Sequence, residues 1–308
     1  MVNSATLPTG SSCQQAVFPY LFITLGDYMT KLSCCAMTDI GKVRENNEDN
    51  FYANGRVKKS NNTPFDYYVD YKERKQYLYA VCDGMGGEEF GELASMIAVD
   101  ILSEYQTTDI KRTIVDYVKK ANQLICDESD KNEGVRIGTT FTLLYINNGK
   151  AISYNIGDSR VYLFRKNKLT QLSEDHTQAQ RLVKIGVIKK EAVSGHRYKH
   201  KLTQHLGIRP DELIIEPYIS QEISIKQNDL YLLCSDGLSD MVSEEKISEI
   251  LSIKEVDIKQ LANKLVSIAL EGGGKDNVTV IVIKINEHDS VWSKYYRGII
   301  SRKILGNK

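Results

Sequence analysis

The sequence predicts an α+β fold in one domain, and three observations carry the prediction. β-rich runs fall in adjacent hairpin-like groups, amphipathic helical stretches come in pairs, and no Pro-, Gly- or Ser-rich linker or internal repeat divides the patterned region between about Leu32 and Ile285. Elements grouped in this way suit antiparallel sheets faced by helices better than a doubly wound parallel sheet. A chain of 308 residues can bury a sizeable core without disulfide support.

Taken in order, Gln76–Cys82 alternates and is rich in Tyr, Leu and Val, the pattern of a strand that ends at Asp83. Phe90, Leu93, Ala94, Ile97, Ala98, Ile101, Leu102 and Tyr105 then recur at helical spacing and make one apolar stripe. Ile110, Ile114, Val118, Ala121 and Ile125 repeat that stripe over Asp109–Glu128. Short β-rich runs follow at Thr139–Ile146, Ala151–Ile156 and Arg160–Arg165, set apart by Asn-Asn-Gly and Gly-Asp-Ser turns. Gln178–Lys184 reads as helix and Ser194–Lys201 as a polar, basic loop. Strand signals return at Ile214–Ile225 and Asp229–Cys234, and helical ones at Ser243–Leu251 and Val256–Leu270. The continuous Val-Ile content of Asn277–Ile285 predicts a buried final strand.

Residues 1–31 are expected to form an extension outside the domain, 32–287 the domain itself, and 288–308 a basic amphipathic tail. Within the extension, the apolar stretch Ala16–Leu25 is broken by Pro19 and falls short of the ~20 residues that a membrane span needs. No Lys or Arg precedes it, as one would in a signal peptide. Met29 and Met37 are alternative starts, of which Met29 spares the first strand. The tail sets Trp292, Tyr295, Tyr296, Ile299, Ile300 and Ile304 among five Lys or Arg side chains. Such a segment packs on its own domain, moves freely or touches an anionic membrane, and membrane contact is the least expected of these.

Lys plus Arg and Asp plus Glu balance at 40 each, which argues against a general nucleic-acid binder with its basic excess. The six cysteines include no C-x-x-C pair and are too sparse for a disulfide scaffold, so a reducing cytoplasm is the expected setting. A monomer is the default expectation.

Four aspartates stand where a β-rich run meets a turn. Asp83 enters Gly84-Met85-Gly86-Gly87, Asp158 opens Asp158-Ser159-Arg160, Asp236 enters Gly237, and Asp276 lies between Gly272-Gly273-Gly274-Lys275 and the final strand. One such aspartate usually does no more than cap its turn. Several converging would repel one another unless a divalent cation neutralised them. Carboxylates, a backbone carbonyl and water suit hard cations such as Mg2+ or Mn2+. The five histidines have no spacing that points to zinc.

The segment Thr38-Asp39-Ile40-Gly41-Lys42-Val43-Arg44-Glu45-Asn46-Asn47-Glu48-Asp49 resembles the opening motif of the PPM family, the metal-dependent protein phosphatases also called PP2C. The resemblance continues in the family's order through Val81–Gly87, Ile137–Thr140, Asn155–Arg160, Leu202–Gln204, Cys234–Leu238 and Lys275–Thr279. It covers about Met37–Ile285, and the Asp-Gly-Met-Gly-Gly form is similar to the bacterial branch.

This resemblance implies a β-sandwich of two antiparallel sheets flanked by helices, in α-β-β-α layers, with two Mn2+ or Mg2+ ions in a cleft at one end. By the same resemblance Asp83 bridges both ions, and Glu48 and the Gly84 carbonyl serve the first. Asp236 and Asp276 hold the second, Asp49 organises water nearby, and Arg44 clamps the substrate phosphate. Asp158 matches a ligand of a third, weaker site. The implied activity is hydrolysis of phosphoserine and phosphothreonine in proteins by a metal-bridging hydroxide, opposing a serine/threonine kinase. Physical chemistry supports it independently, since two cations ~4 Å apart lower the pKa of a bridging water and neutralise a transferring phosphoryl group.

Some family members carry a His where this chain has Met85, which leaves metal-bound water as the expected proton donor to the leaving alkoxide. Asp83-Gly84-Met85 also lacks the second carboxylate of an Asp-x-Asp aspartyl-phosphate nucleophile. The segment 185–205 falls where the family has a variable flap, and Lys189, Lys190, His196, Arg197, Lys199, His200 and Lys201 make it basic. It either receives phosphorylated substrates or is a solvated loop with incidental charge.

Overall fold

The computed structural model describes residues 28–58, 65–86, 90–132, 135–254 and 256–290. Most of the expected extension, the tail from residue 291 onward and Gly87 lie outside these residues. The chain opens with β1 (Tyr28–Asp39), β2 (Asn50–Ala53), β3 (Arg56–Val57), β4 (Phe65–Arg74), β5 (Gln76–Cys82) and the two-residue β6 (Gly84–Met85). Helices α1 (Gly91–Glu104) and α2 (Ile110–Lys131) come next, then β7 (Gly138–Thr139), β8 (Phe141–Asn147), β9 (Lys150–Ile156), β10 (Arg160–Arg165) and β11 (Lys168–Gln171). After α3 (Gln178–Lys184) run β12 (Tyr218–Ile219), β13 (Ile223–Ser224), β14 (Leu230–Cys234), α4 (Asp236–Ser239), α5 (Glu244–Leu251), α6 (Ile258–Glu271) and β15 (Val278–Ser290).

Two antiparallel sheets result, one ordered β11-β10-β14-β15-β1-β4 and the other β12-β9-β8-β5-β2-β3, with β13 beside β9. Three apolar layers hold the stack together. Cys34, Phe51, Tyr79, Val81, Leu144, Tyr231, Leu233 and Ile281 fill the space between the sheets. Cys35, Met37, Leu232, Val280 and Val282 face Leu261, Leu265 and Ala269 of α6 on the outside of the first sheet. Leu78, Ala80, Phe141 and Leu143 face Ala94, Ala98, Ile114 and Tyr117 of α1 and α2 on the outside of the second. The architecture is therefore α-β-β-α, as expected. Each Val, Leu or Ile fully buried in these layers stabilises by roughly 1.5–3 kcal/mol. Cys34 and Cys35 are neighbours on opposite faces of β1, and both faces are covered. That double burial is why the central strands read as continuous apolar runs rather than as alternation.

Helix starts follow their caps: Asp109, Thr177, Ser243 and Asp257 each accept from a backbone N–H in the first turn, and Asp257 with Gln260 makes a capping box. Three expectations are corrected. The first sheet reaches beyond 32–287, since β1 pairs Tyr28 with Ser290, and a register shift between Lys31 and Leu32 breaks the side-chain pattern at that point. Ile214–Ile225 yields only the short edge pairs β12 and β13, because Pro217 has no N–H for a ladder. Thr139–Ile146 is split at Thr140, whose backbone N–H bonds the Asp83 carbonyl at 2.9 Å instead of continuing a strand. No helix among the described residues is long and apolar enough to cross a membrane. Five cysteines, Cys34, Cys35, Cys82, Cys126 and Cys234, are buried free thiols.

Candidate active site

The four turn aspartates meet at one end of the sandwich. Asp83 follows β5 of the second sheet, Asp158 lies on the turn from β9 to β10 that crosses between sheets, and Asp236 and Asp276 flank β14 and β15 of the first. They line a cleft of about 1350 Å3 together with Arg44, Glu48, Gly84, Met85, Lys199, His200 and Asp240. Asp49 is fully buried beneath it.

Each side chain is held by a specific local device. Asp83 is fixed through its backbone: its N–H donates to Thr140 Oγ1, and its carbonyl accepts from Thr139 Oγ1, each at 2.9 Å. This is the structural use of the Ile137–Thr140 motif. Gly157 takes a positive φ of 100° against Thr140, and a side chain there would collide with Thr140 Cγ2 at 2.6 Å, so the turn that carries Asp158 packs tightly on the same threonine, whose hydroxyl bonds Ser159 Oγ at 2.7 Å. Asn277 ties down the loop that carries Arg44 and Glu48. Its Nδ2 donates to the carbonyls of Ile40 and Asn46 at 2.9 Å each, and its Oδ1 accepts from the Glu48 N–H at 2.8 Å. Lys58 Nζ donates to the carbonyls of Asn47 and Asp49, at 2.6 Å each, from below. Ser235 occupies the N-cap of α4 yet makes no side-chain cap bond, because its hydroxyl donates to Asp49 Oδ2 at 2.7 Å. Arg44 Nη2 donates to Asp276 Oδ2 at 2.7 Å.

The electrostatics are those of crowded carboxylates. Burial, followed by the charges of Asp49, Asp236, Asp158 and Asp276, pushes the Asp83 carboxyl well above the usual range. Burial pushes Asp49 up to about 7, with Ser235 opposing. Burial and the Asp236 charge raise Asp158, and burial raises Glu48 against the pull of Arg44. Asp49 Oδ1 is buried without a hydrogen-bond partner of good geometry among the described residues. A crowded, all-oxygen set of carboxyl groups with an unmatched buried oxygen fits divalent Mg2+ or Mn2+.

Relatives of the chain can be named. Residues 35–182 match the family described as protein phosphatase 2C. The chain is 33% identical over 262 residues to the protein phosphatase PhpP of Streptococcus pneumoniae, covering 82% of this chain and 98% of that one. The chain belongs to the protein phosphatase 2C family.

The serine/threonine protein phosphatase PstP of Mycobacterium tuberculosis is 34% identical over 84% of this chain, which spans about half (46%) of that protein's length. The crystal structure of the PstP catalytic domain in complex with 2 manganese ions matches this phosphatase fold with a TM-score of 0.68 at 33% identity, covering 84% of this chain and 100% of that one.

All residues expected at the site reach it: Arg44, Glu48, Asp83, Gly84, Asp158, Asp236 and Asp276 line the cleft, and Asp49 lies under it. Several contributors had no role assigned from the sequence. Thr140, Ser235 and Asn277 lie inside the family motifs, so their positions were visible although their bonds were not. Lys58 and Asp240 lie outside those motifs and carry no pattern that would single them out. The basic flap is only partly turned to the cleft. Lys199, His200 and Lys201 line it, whereas Arg197 lies over the Tyr198 ring at 4.5 Å, and Lys199 is engaged by Asp240 at 3.2 Å.

Proposed function

We propose that this chain hydrolyses phosphoserine and phosphothreonine in protein substrates, opposing a serine/threonine kinase in the cytoplasm. The observation that carries this reading is the convergence of Asp83, Asp236, Asp276 and Glu48 from separate elements on one cleft that Arg44 overlooks. Asp83 would serve both ions, with Glu48 and the Gly84 carbonyl as further donors to the first and Asp236 and Asp276 to the second. Asp158 would serve a third.

When bound, two divalent ions, Mn2+ or Mg2+, supply an activated water and neutralise charge on the phosphoryl group. The chain's own residues do the rest. Asp49, held by Ser235, orders water from beneath the carboxylates. Arg44, half-exposed on the rim, turns from Asp276 to the phosphate, whose oxygens match its planar donor fork. Met85 can donate no proton, so solvent in the open cleft protonates the leaving Ser or Thr oxygen.

The test is phosphate release from a phosphothreonine peptide and from p-nitrophenyl phosphate in Mn2+, then in EDTA, then with Mn2+ restored. The reading expects activity, loss and recovery, without a trappable phospho-enzyme. A folded sample inactive with Mn2+, or a phosphorylated aspartate intermediate, contradicts it.

A further inference from the structure

The flap places a histidine beside two of the cleft aspartates. One ligand atom each from Asp158, His200 and Asp236 lie within 4.8 Å of one another. Ligands about 2.1 Å from an octahedral ion stand about 3 Å apart when adjacent and about 4.2 Å apart when opposite. A modest inward movement of the His200 side chain, which is half-exposed, therefore closes a three-ligand site.

Two further features mark this grouping as built for a cation. Asp158 is only 9% exposed, and among the described residues no side chain hydrogen-bonds its carboxylate. On the other side, His200 Nε2 lies 3.2 Å from Asp240 Oδ2, while Nδ1 lies 3.7 Å from Asp236 Oδ2. A ligating imidazole characteristically donates its second N–H to a carboxylate, which fixes the ring and leaves the other nitrogen free for the metal. Asp240 occupies that outer position, one helical turn beyond Asp236, and Lys199 at 3.2 Å steadies it.

We propose that His200 ligates a divalent transition ion through Nδ1, together with Asp158 and Asp236, with Asp240 as the outer carboxylate. The inference rests on the reading of Asp158 and Asp236 as metal ligands and adds a nitrogen donor from the flap. Two consequences follow from the chemistry. Imidazole favours Mn2+ and later transition ions over Mg2+, which keeps to oxygen and water. A ligand on residue 200 also ties the flap to the sandwich, so occupancy of this site orders the segment beside the substrate entrance.

The experiment measures Mn2+ binding to the full chain by calorimetry and reads nitrogen coordination by electron spin echo modulation at saturating Mn2+. The wild type is expected to bind three Mn2+ and to show the modulation of a directly bound imidazole nitrogen. His200→Ala is expected to keep two ions, lose the nitrogen signature and weaken the third ion at least about tenfold, and Asp240→Asn to weaken it about tenfold. His205→Ala, on the same cleft, is expected to leave the signature intact. Absence of the nitrogen signature in the wild type, or its persistence in His200→Ala, overturns the inference. A wild type that binds no Mn2+ instead overturns the underlying metal reading, so the two failures are distinguishable.

Discussion

Arg44 Nη2 donates to Asp276 Oδ2 at 2.7 Å, so the arginine assigned to the substrate phosphate rests on a carboxylate assigned to a metal. Both partners are partly exposed, and an exposed pair of this kind stabilises a fold by less than about 1 kcal/mol. Its role is positional, since it holds the guanidinium on the cleft rim. Arg44→Ala is expected to lower kcat/KM for phosphopeptides about ten- to hundredfold, the value of a charged hydrogen bond to phosphate. Its thermal midpoint should stay close to that of the wild type. Arg44→Lys should recover only part of the loss, because a point charge cannot reproduce the fork. Steady-state kinetics beside thermal melts check both statements.

The buried Asp49 predicts an unusual pH dependence for the protein stripped of metal. Its carboxyl is pushed from 3.8 to about 7 in the folded state. Between those values the unfolded chain has released this proton and the folded chain has not, so stability falls as pH rises through the window. In EDTA, denaturant midpoints of the wild type should drop from pH 5 to pH 8 more than those of Asp49→Asn, which lacks the titrating group. Added Mn2+ should restore stability at pH 8, because it binds the folded state alone. Equal pH slopes for the two proteins contradict the assignment.

Gly91, the first residue of α1, leaves room for Glu48. A Cβ at this position would lie 2.6 Å from Glu48 Cδ and Oε2. Those atoms end a flexible side chain, so Gly91→Ala should fold but push the Glu48 carboxylate from its place. Calorimetry should then show weaker Mn2+ binding at one site, with an unchanged far-UV circular dichroism spectrum. Gly84→Ala is different in kind. Its Cβ would lie 2.1 Å from the Gly91 carbonyl oxygen, a backbone atom that cannot step aside, and this variant should be destabilised outright.

Asn277 is buried and makes three bonds to the loop of residues 40–48. Asn277→Ala removes all three bonds and should cost about 1.5–4.5 kcal/mol, at a net ~0.5–1.5 kcal/mol for each. Asn277→Asp keeps the shape but brings a carboxylate against the Ile40 and Asn46 carbonyls, so it should not rescue the loss. Urea denaturation of both variants measures this.

Much of the molecule was legible because local signals and burial agree. Gln76–Cys82 and Gln178–Lys184 are a strand and a helix with the boundaries expected of them, and the paired stripes of α1 and α2 pack on the second sheet as their periodicity required. The ordered motifs located Glu48, Asp83, Asp158, Asp236 and Asp276 at the cleft. What escaped was set by long-range geometry. β4 has a mixed polar sequence, FDYYVDYKER, and becomes a strand because it completes the edge of the first sheet beside β1. Thr140 looks like one more strand residue until its hydroxyl and amide are found on Asp83. His200 and Asp240 are 40 residues apart in the chain, and no spacing rule joins a flap histidine to the end of a one-turn helix.

The central claim is that the carboxylates gathered around Asp83 form the metal centre that hydrolyses phosphoserine and phosphothreonine esters. The most direct measurement is phosphate release from a phosphothreonine peptide by the wild type and by Asp83→Asn at saturating Mn2+, with Mn2+ stoichiometry measured on the same samples. Nearly complete loss of turnover, together with loss of Mn2+ from a folded Asp83→Asn protein, is the predicted result. Wild-type turnover by Asp83→Asn would contradict the account.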